Sequence, residues 1–265
     1  MLEMTQASRP DESAIQSVTI LGIRVDRCSQ QQALAYIQDL IERKKADEEN
    51  RVACQQVVTV NVEFVMAAQQ NTQFRDYINH SALSVPDGIG IVLAARYLGK
   101  PVHERVTGTD LMPELARLCV RQGYRLYLLG AAPGVAECAA TRLQELAPGL
   151  QIAGTYAGSP APSEEDAIIE RIRAARADVL CVAYGAPAQD VWIGRNLSRL
   201  PVAVAMGVGG AFDFLSGRQV RAPRWMRKSG LEWLYRLYRE PRRWRRMLAL
   251  PRFVLHVLVK GRANS

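Results

Sequence analysis

The sequence predicts an α/β fold: a Rossmann-like, mostly parallel sheet flanked by helices, with a basic helical appendage at the C-terminus. Three observations predict it. Short apolar runs rich in β-branched residues alternate with helical segments of roughly 10 to 15 residues. Glycine- and proline-bearing turns follow the carboxyl ends of those runs, and the composition changes character at Arg218. Repeated β-α units of this kind bury a parallel sheet between layers of helices.

Residues 1–16 are polar and lack the basic and apolar stretches of a secretory signal, so they read as a disordered tail. Residues 18–25 read as one strand. Residues 29–43 read as an amphipathic helix with Ala33, Ile37, Leu40 and Ile41 on its apolar face. Val57, Val58 and Val60 make a short buried strand, and Asn61 is placed to cap the helix that follows. Residues 83–85 form another strand, after which Pro86, Asp87 and Gly88 turn the chain into a helix toward Leu98. Strands follow at 125–129, 151–156, 179–183 and 202–206. The core is therefore expected over 17–217 and the appendage over 218–265.

In open sheets of this type, ligands bind beyond the carboxyl ends of the strands. The unusual residues of this chain fall there: Thr59 and Asn61 after one strand, Asp87 after a second, Gly130 after a third, Gly185 after a fourth, and Gly207, Gly209 and Gly210 after a fifth. Five strand ends are expected to converge on one crevice. Glycine turns of this sort let backbone N–H groups approach a diphosphate. They serve equally as tight turns, and the sequence matches neither a Walker A loop nor the full dinucleotide fingerprint. Asp87 reads either as a general base for an attacking hydroxyl or as a plain turn aspartate. Arg105 reads either as a cation that stabilises a departing diphosphate or as half of an ion pair with Glu104 or Asp110.

His80, His103 and His256 lack ligand spacing and no D-x-D pair occurs, so neither a metal nor a cofactor is expected. No G-x-S-x-G elbow is present, which disfavours a hydrolase. The five cysteines are far apart and form no C-x-x-C pair; they are expected to be small core residues of a protein from a reducing compartment. No run reaches the roughly 18 to 20 apolar residues of a membrane-spanning helix.

Between Arg218 and Arg262 the chain carries fourteen Lys and Arg against Glu232 and Glu240, a local balance of +12, so the remainder holds −4 of the total +8. Trp225, Trp233, Tyr235, Tyr238 and Trp244 interleave with Arg236, Arg239, Arg243 and Arg246, and an apolar stretch follows over 247–259. Rings beside guanidinium groups suit an anionic membrane surface. The same composition suits single-stranded nucleic acid, but the terminal apolar stretch favours an in-plane membrane anchor, and no nucleic acid is expected.

Taken together, T-V-N ending at Asn61, P-D-G-I-G from Pro86, R-V-T-G-T-D from Arg105, G-A-P-A-Q-D from Gly185, G-V-G-G-A-F-D from Gly207, R-A-P-R-W from Arg221 and G-L-E-W-L-Y-R-L from Gly230 resemble the WecG/TagA/CpsF glycosyltransferase family over about residues 18–250. The resemblance implies metal-independent, inverting transfer of a sugar from a UDP donor to a polyprenyl-diphosphate-linked sugar in cell-surface polysaccharide synthesis. The donated sugar would be N-acetylmannosamine, its uronic acid, or a hexose such as glucose. It makes Asp87 the base, with Thr59 and Asn61 positioning substrate, Arg105 stabilising the leaving diphosphate, and Gln189 holding a sugar. Arg236, Arg243 and Arg246 would grip diphosphates. It also implies a cytoplasmic protein, peripheral on the inner face of the membrane, and leaves the oligomeric state open, a homo-oligomer included. The competing reading is a non-enzymatic, nucleotide-responsive module that docks on membranes or polyanions.

Overall fold

The computed structural model describes residues 15–47, 49 and 52–260, without the side chains of Lys228 and Arg243. The polar tail expected over 1–16 therefore lies outside the described residues as far as residue 14. The first described element differs from expectation. Instead of one strand over 18–25, β1 (Ser17–Ile20) and β2 (Ile23–Asp26) form an antiparallel hairpin. Leu21 and Gly22 supply the two positive φ values, 50° and 78°, that a two-residue turn of this hand demands.

After α1 (Gln30–Ala46), capped by a reciprocal Ser29–Gln32 box, the chain alternates as the sequence predicts. It runs through β3 (Gln55–Val60), α2 (Val62–Ala68), α3 (Thr72–His80), β4 (Leu83–Pro86), α4 (Ile89–Tyr97), α5 (Gly108–Gln122), β5 (Arg125–Gly130) and α6 (Val135–Leu146). It continues through β6 (Gln151–Tyr156), α7 (Glu165–Ala175), β7 (Val179–Ala183), α8 (Ala188–Asn196), β8 (Val204–Gly207) and α9 (Ala211–Leu215). The six strands β3 to β8 form one parallel sheet in the order β4-β3-β8-β7-β5-β6. Crossing from β4 to β5 carries the chain over the middle of the sheet, and the central ends of β3, β8 and β7 are left open to a ligand.

Side chains alternate across the sheet as its period of two requires. Val57, Leu126, Leu128, Cys181 and Met206 face the layer of α1, α5, α6 and α9. On the other side, Val58 and Val60 pack with Phe64, Phe74 and Ile91, while Tyr127, Leu129, Leu180 and Val182 pack with Trp192 and Ile168. Each large apolar side chain so buried contributes about 1.5–3 kcal/mol. Four cysteines belong to this interior, and burial pushes the thiols of Cys28, Cys54 and Cys119 up to about 12. Cys138 departs from the expectation: it lies on the exposed side of α6.

The appendage comprises α10 (Arg224–Lys228), α11 (Glu232–Arg239), a 3₁₀ turn at Pro241–Arg243, α12 (Trp244–Met247) and α13 (Ala249–Lys260). It folds back on the core. Phe253 and Val257 of α13 are buried in the cluster that holds α2 and α4, whereas Val254, Leu255, Leu258 and Val259 face outward. Among the described residues, no helix is long and apolar enough to cross a membrane.

Candidate active site

Asp87 follows the edge strand β4, and the backbone holds it from two sides. Its N–H donates to the Val60 carbonyl (2.8 Å), and the Pro86 carbonyl accepts from the Val106 N–H (2.8 Å). Gly88 then takes φ 105°, a value that an L side chain rarely adopts, and so turns the chain into α4. The carboxyl is thereby fixed at the strand end. Burial pushes it up to about 7, against the lowering fields of Arg105 and Arg236; Glu232 and Asp110 add to the rise.

Two cavities meet at this residue. The larger, about 340 Å³, lies over the ends of β3, β7 and β8, and includes Thr59, Gly185, Gln189, Gly209 and Gly210 in its walls. The smaller, about 150 Å³, lies between α4 and the appendage and is more apolar, with Val62, Ile89, Trp233, Met247 and Leu250. Asn61, Glu63, Asp87, Arg236 and Arg246 line both. Arg105 lines only the smaller.

Asn61 caps α2 as expected, its side-chain oxygen accepting from the Phe64 N–H at 3.1 Å. Thr59 is buried and its hydroxyl donates to the Gly207 carbonyl at 3.4 Å, which ties β3 to β8 below the cavity.

Three of the expected site residues make close contacts within the protein. Gln189 reaches the cavity, but its Oε1 accepts from both the Gly185 N–H (3.2 Å) and the Gly209 N–H (3.0 Å). It staples two loops, and it takes up the N–H groups of Gly185 and Gly209 that were expected to meet a phosphate. Gly207 lies under the floor: a β-carbon there would stand 2.5 Å from Gln189 Nε2 and 2.6 Å from Asp190 Oδ1. Gly130 is likewise a packing glycine, with no room for a β-carbon against the backbone of Ala183 (2.8 Å). Neither glycine is among the residues that line the two cavities. The reason is shared, since parallel strands bring their first loop residues against one another before the loops diverge toward a ligand. Asp190, wholly buried beneath Gly207, is held up to about 7 by desolvation, against the pull of the Gln189 and Gln56 amides.

Arg105 is ion-paired, but with neither Glu104 nor Asp110. Its Nη1 lies 3.1 Å from Glu232 Oε2, on α11 of the appendage. Glu232 also faces Arg221 Nε at 3.6 Å. Arg221 makes a two-pronged contact with Asp110, at 2.5 and 3.1 Å. Asp110 accepts from the Thr107 hydroxyl as well (2.8 Å), and these partners hold its carboxyl below the usual carboxylate range despite burial. Separation in sequence hid this network, because Arg105 and Glu232 are 127 positions apart.

The appendage also brings cations to the larger cavity. The Arg236 guanidinium lies 4.8 Å from the centre of the Phe214 ring, and its Nη2 would lie 3.3 Å from a β-carbon on Gly210. Arg246 is bonded to Glu63, with Nε to Oε2 at 2.8 Å. The Arg243 side chain lies outside the described residues. Asp213 and Glu63, which the sequence reading did not single out, also line the larger cavity. Among the described residues, no group of three or more His, Cys, Asp or Glu is arranged to hold a metal ion.

A half-buried carboxyl with a near-neutral pKa, set between a polar cavity and a partly apolar one and faced by guanidinium groups, can accept a proton from one bound molecule while charge collects on another. The family model described as "Glycosyl transferase WecG/TagA/CpsF family" matches residues 18–265. A protein of Bacillus spizizenii named N-acetylglucosaminyldiphosphoundecaprenol N-acetyl-beta-D-mannosaminyltransferase is 36% identical over 209 residues, 79% of this chain and 80% of its own length. Its namesake from Bacillus subtilis is 35% identical over 76% of this chain and 78% of its own length. One from Staphylococcus aureus is 29% identical over 93% and 94%.

Proposed function

The chain belongs to the WecG/TagA/CpsF glycosyl transferase family, and from that premise we propose that it moves an N-acetylhexosamine from a UDP donor to a polyprenyl-diphosphate-linked sugar, with inversion and without a metal ion. One observation carries the reading: Asp87 stands in the wall shared by the two cavities. The larger cavity takes the donor and the smaller, more apolar one the lipid-linked acceptor. The relatives' names specify a β-mannosaminyl product on an N-acetylglucosaminyl diphosphate lipid. A β product from an α-linked nucleotide sugar requires a single displacement at the anomeric carbon.

In that displacement the acceptor hydroxyl oxygen bonds to the anomeric carbon and its proton passes to the Asp87 carboxylate. The bond between the anomeric carbon and the β-phosphate oxygen breaks, and its electron pair leaves with UDP. Since Gly185 and Gly209 have turned their N–H groups onto Gln189, Arg236 and Arg246 are the groups that meet the donor diphosphate. Arg105, in the wall of the acceptor cavity, opposes the burial that disfavours ionised Asp87 and so keeps that carboxylate able to take the proton. Thr59 and Asn61 fix the walls between the two substrates.

The outward face of α13 and the exposed Trp225, Trp233 and Trp244 rest this protein on an anionic bilayer, on the cytoplasmic side where nucleotide sugars are made.

The test is a donor screen by UDP release, using UDP-N-acetylmannosamine, UDP-N-acetylmannosaminuronate and UDP-glucose with an N-acetylglucosaminyl diphosphate lipid, with and without EDTA. The reading expects turnover with the N-acetylhexosamine donor, a β-linked product and no effect of EDTA. UDP binding without turnover on any donor would return the non-enzymatic reading.

A further inference from the structure

Gln189 stands in the wall of the larger cavity, and the group best placed to hold it there is its neighbour in the chain. Both residues lie in the first turn of α8 and both are buried, Asp190 completely. The Gln189 amide has a definite orientation. Its Oε1 accepts from the loop after β7 at Gly185 (3.2 Å) and from the loop after β8 at Gly209 (3.0 Å). Its Nε2 points the other way, over Gly207. A β-carbon on Gly207 would stand 2.5 Å from that nitrogen and 2.6 Å from Asp190 Oδ1, so the amide nitrogen and the carboxyl share the space above one α-carbon. Asp190 is itself pinned from β3, where Gln56 Nε2 donates to its carbonyl at 3.2 Å. Neither carboxyl oxygen completes a full hydrogen bond among the described residues, and the Gln189 and Gln56 amides are the polar side chains that act on it.

We propose that Asp190 is a positioning residue of the donor site: it fixes which way the Gln189 amide faces and, through that amide, how far apart the Gly185 and Gly209 loops stand across the cavity. The inference deepens the function proposed above and rests on its assignment of the larger cavity to the donor.

A primary amide keeps nearly the same shape when turned end for end, and only its partners decide which end is oxygen. Two backbone N–H groups at one end call for oxygen, and a carboxyl at the other calls for nitrogen. With an apolar side chain at position 190, the amide nitrogen would be buried with no acceptor above Gly207. Swinging toward the cavity, where water reaches it, relieves that cost. The N–H groups of Gly185 and Gly209 then lose their common acceptor, and the two loops part. A looser cavity holds a nucleotide sugar less tightly, whereas Asp87, tied to Val60 on β3, stays where it was. Asp190 therefore acts on affinity for the donor and not on the chemical step. Its task needs an oxygen and no charge, so an asparagine can perform it.

The experiment compares variants of the full chain with the parent. Asp190→Leu is expected to raise the KM for UDP-N-acetylmannosamine about tenfold, the scale of one lost hydrogen bond, with kcat and the acceptor KM held within about twofold. A purely structural role would instead reduce the folded fraction, and with it kcat, at an unmoved KM. Asp190→Asn should keep the donor KM within about twofold of the parent. On a Gln189→Ala background Asp190→Leu should have no further effect on donor KM, because the group through which it acts is gone. Amide hydrogen exchange at Gly185 and Gly209 should accelerate in Asp190→Leu and stay slow in Asp190→Asn. An unchanged donor KM in Asp190→Leu, or the same rise on the Gln189→Ala background, would overturn the proposal. Should Asp190→Leu not fold, Asp190→Ala takes its place in each comparison. If the unaltered chain transfers no sugar, the function proposed above fails by itself. Exchange then decides the role of Asp190, and protection at Gly185 and Gly209 that survives its replacement rejects it.

Discussion

The strand ends and the appendage meet at Asp87, and they are held by different forces. On the strand side the restraints are backbone hydrogen bonds and close packing: Asp87 is tied to Val60, Pro86 to Val106, and Gln189 clamps the loops at Gly185 and Gly209. On the appendage side, the segment from Arg221 through α12 is attached in part through ion pairs of partly exposed side chains, Arg105–Glu232, Arg221–Asp110 and Arg246–Glu63. Backbone bonds inside a core are indifferent to salt, whereas such pairs weaken as ionic strength rises. The base is thus built into the rigid half of the protein, and the cations that stabilise charge arrive on the adjustable half. Such a division suits an enzyme that must admit a lipid-borne substrate between the two.

The largest effect expected from breaking this arrangement is on the rigid side. Asp87→Asn should lower turnover about 1,000-fold, within the range for loss of a general base, and leave UDP affinity near that of the parent in calorimetry. Next is Phe253→Ala in α13, a part of the appendage held by apolar burial. It should cost about 3 kcal/mol, read as a lower thermal midpoint with loss of transfer to lipid acceptor. Ion pairing alone would not then keep the appendage in place. Arg246→Gln should raise the KM for the UDP donor about tenfold at low salt, equivalent to about 1.4 kcal/mol, and the penalty should shrink as salt is added. A penalty that did not change with salt would place Arg246 on the rigid side of the comparison.

The smallest effect concerns Asp190, which is raised by burial from 3.8 to about 7. A carboxyl with a raised folded-state pKa stabilises the fold when protonated and costs stability as pH climbs from about 4 through 7. Asp190→Asn should therefore raise the thermal midpoint at pH 8 by about 2–4 °C, the equivalent of about 1 kcal/mol for a chain of this size. At pH 4 it should change little.

Much of the sheet was legible in the sequence because β-branched runs and turn residues are local signals. The turn through Pro86, Asp87 and Gly88 and the cap at Asn61 follow from it. The hairpin at Leu21 and Gly22 was not legible, since a leucine at positive φ within an apolar run carries no polar turn signature. Gly130 and Gly207 were ambiguous for the opposite reason: glycine marks close approach, and the sequence does not say whether a phosphate or a neighbouring strand does the approaching. The partners of Arg105 and Gln189 depend on how distant segments fold together, and neither composition nor spacing reports that.

Catalysis turns on Asp87 accepting the acceptor's proton in the mechanism proposed, and the pH dependence of the single-turnover rate tests this most directly. Because burial lifts this carboxyl to about 7, and a base acts only when ionised, the rate should fall as pH drops through 7. A rate that stays level from pH 8 down to pH 5 would contradict it.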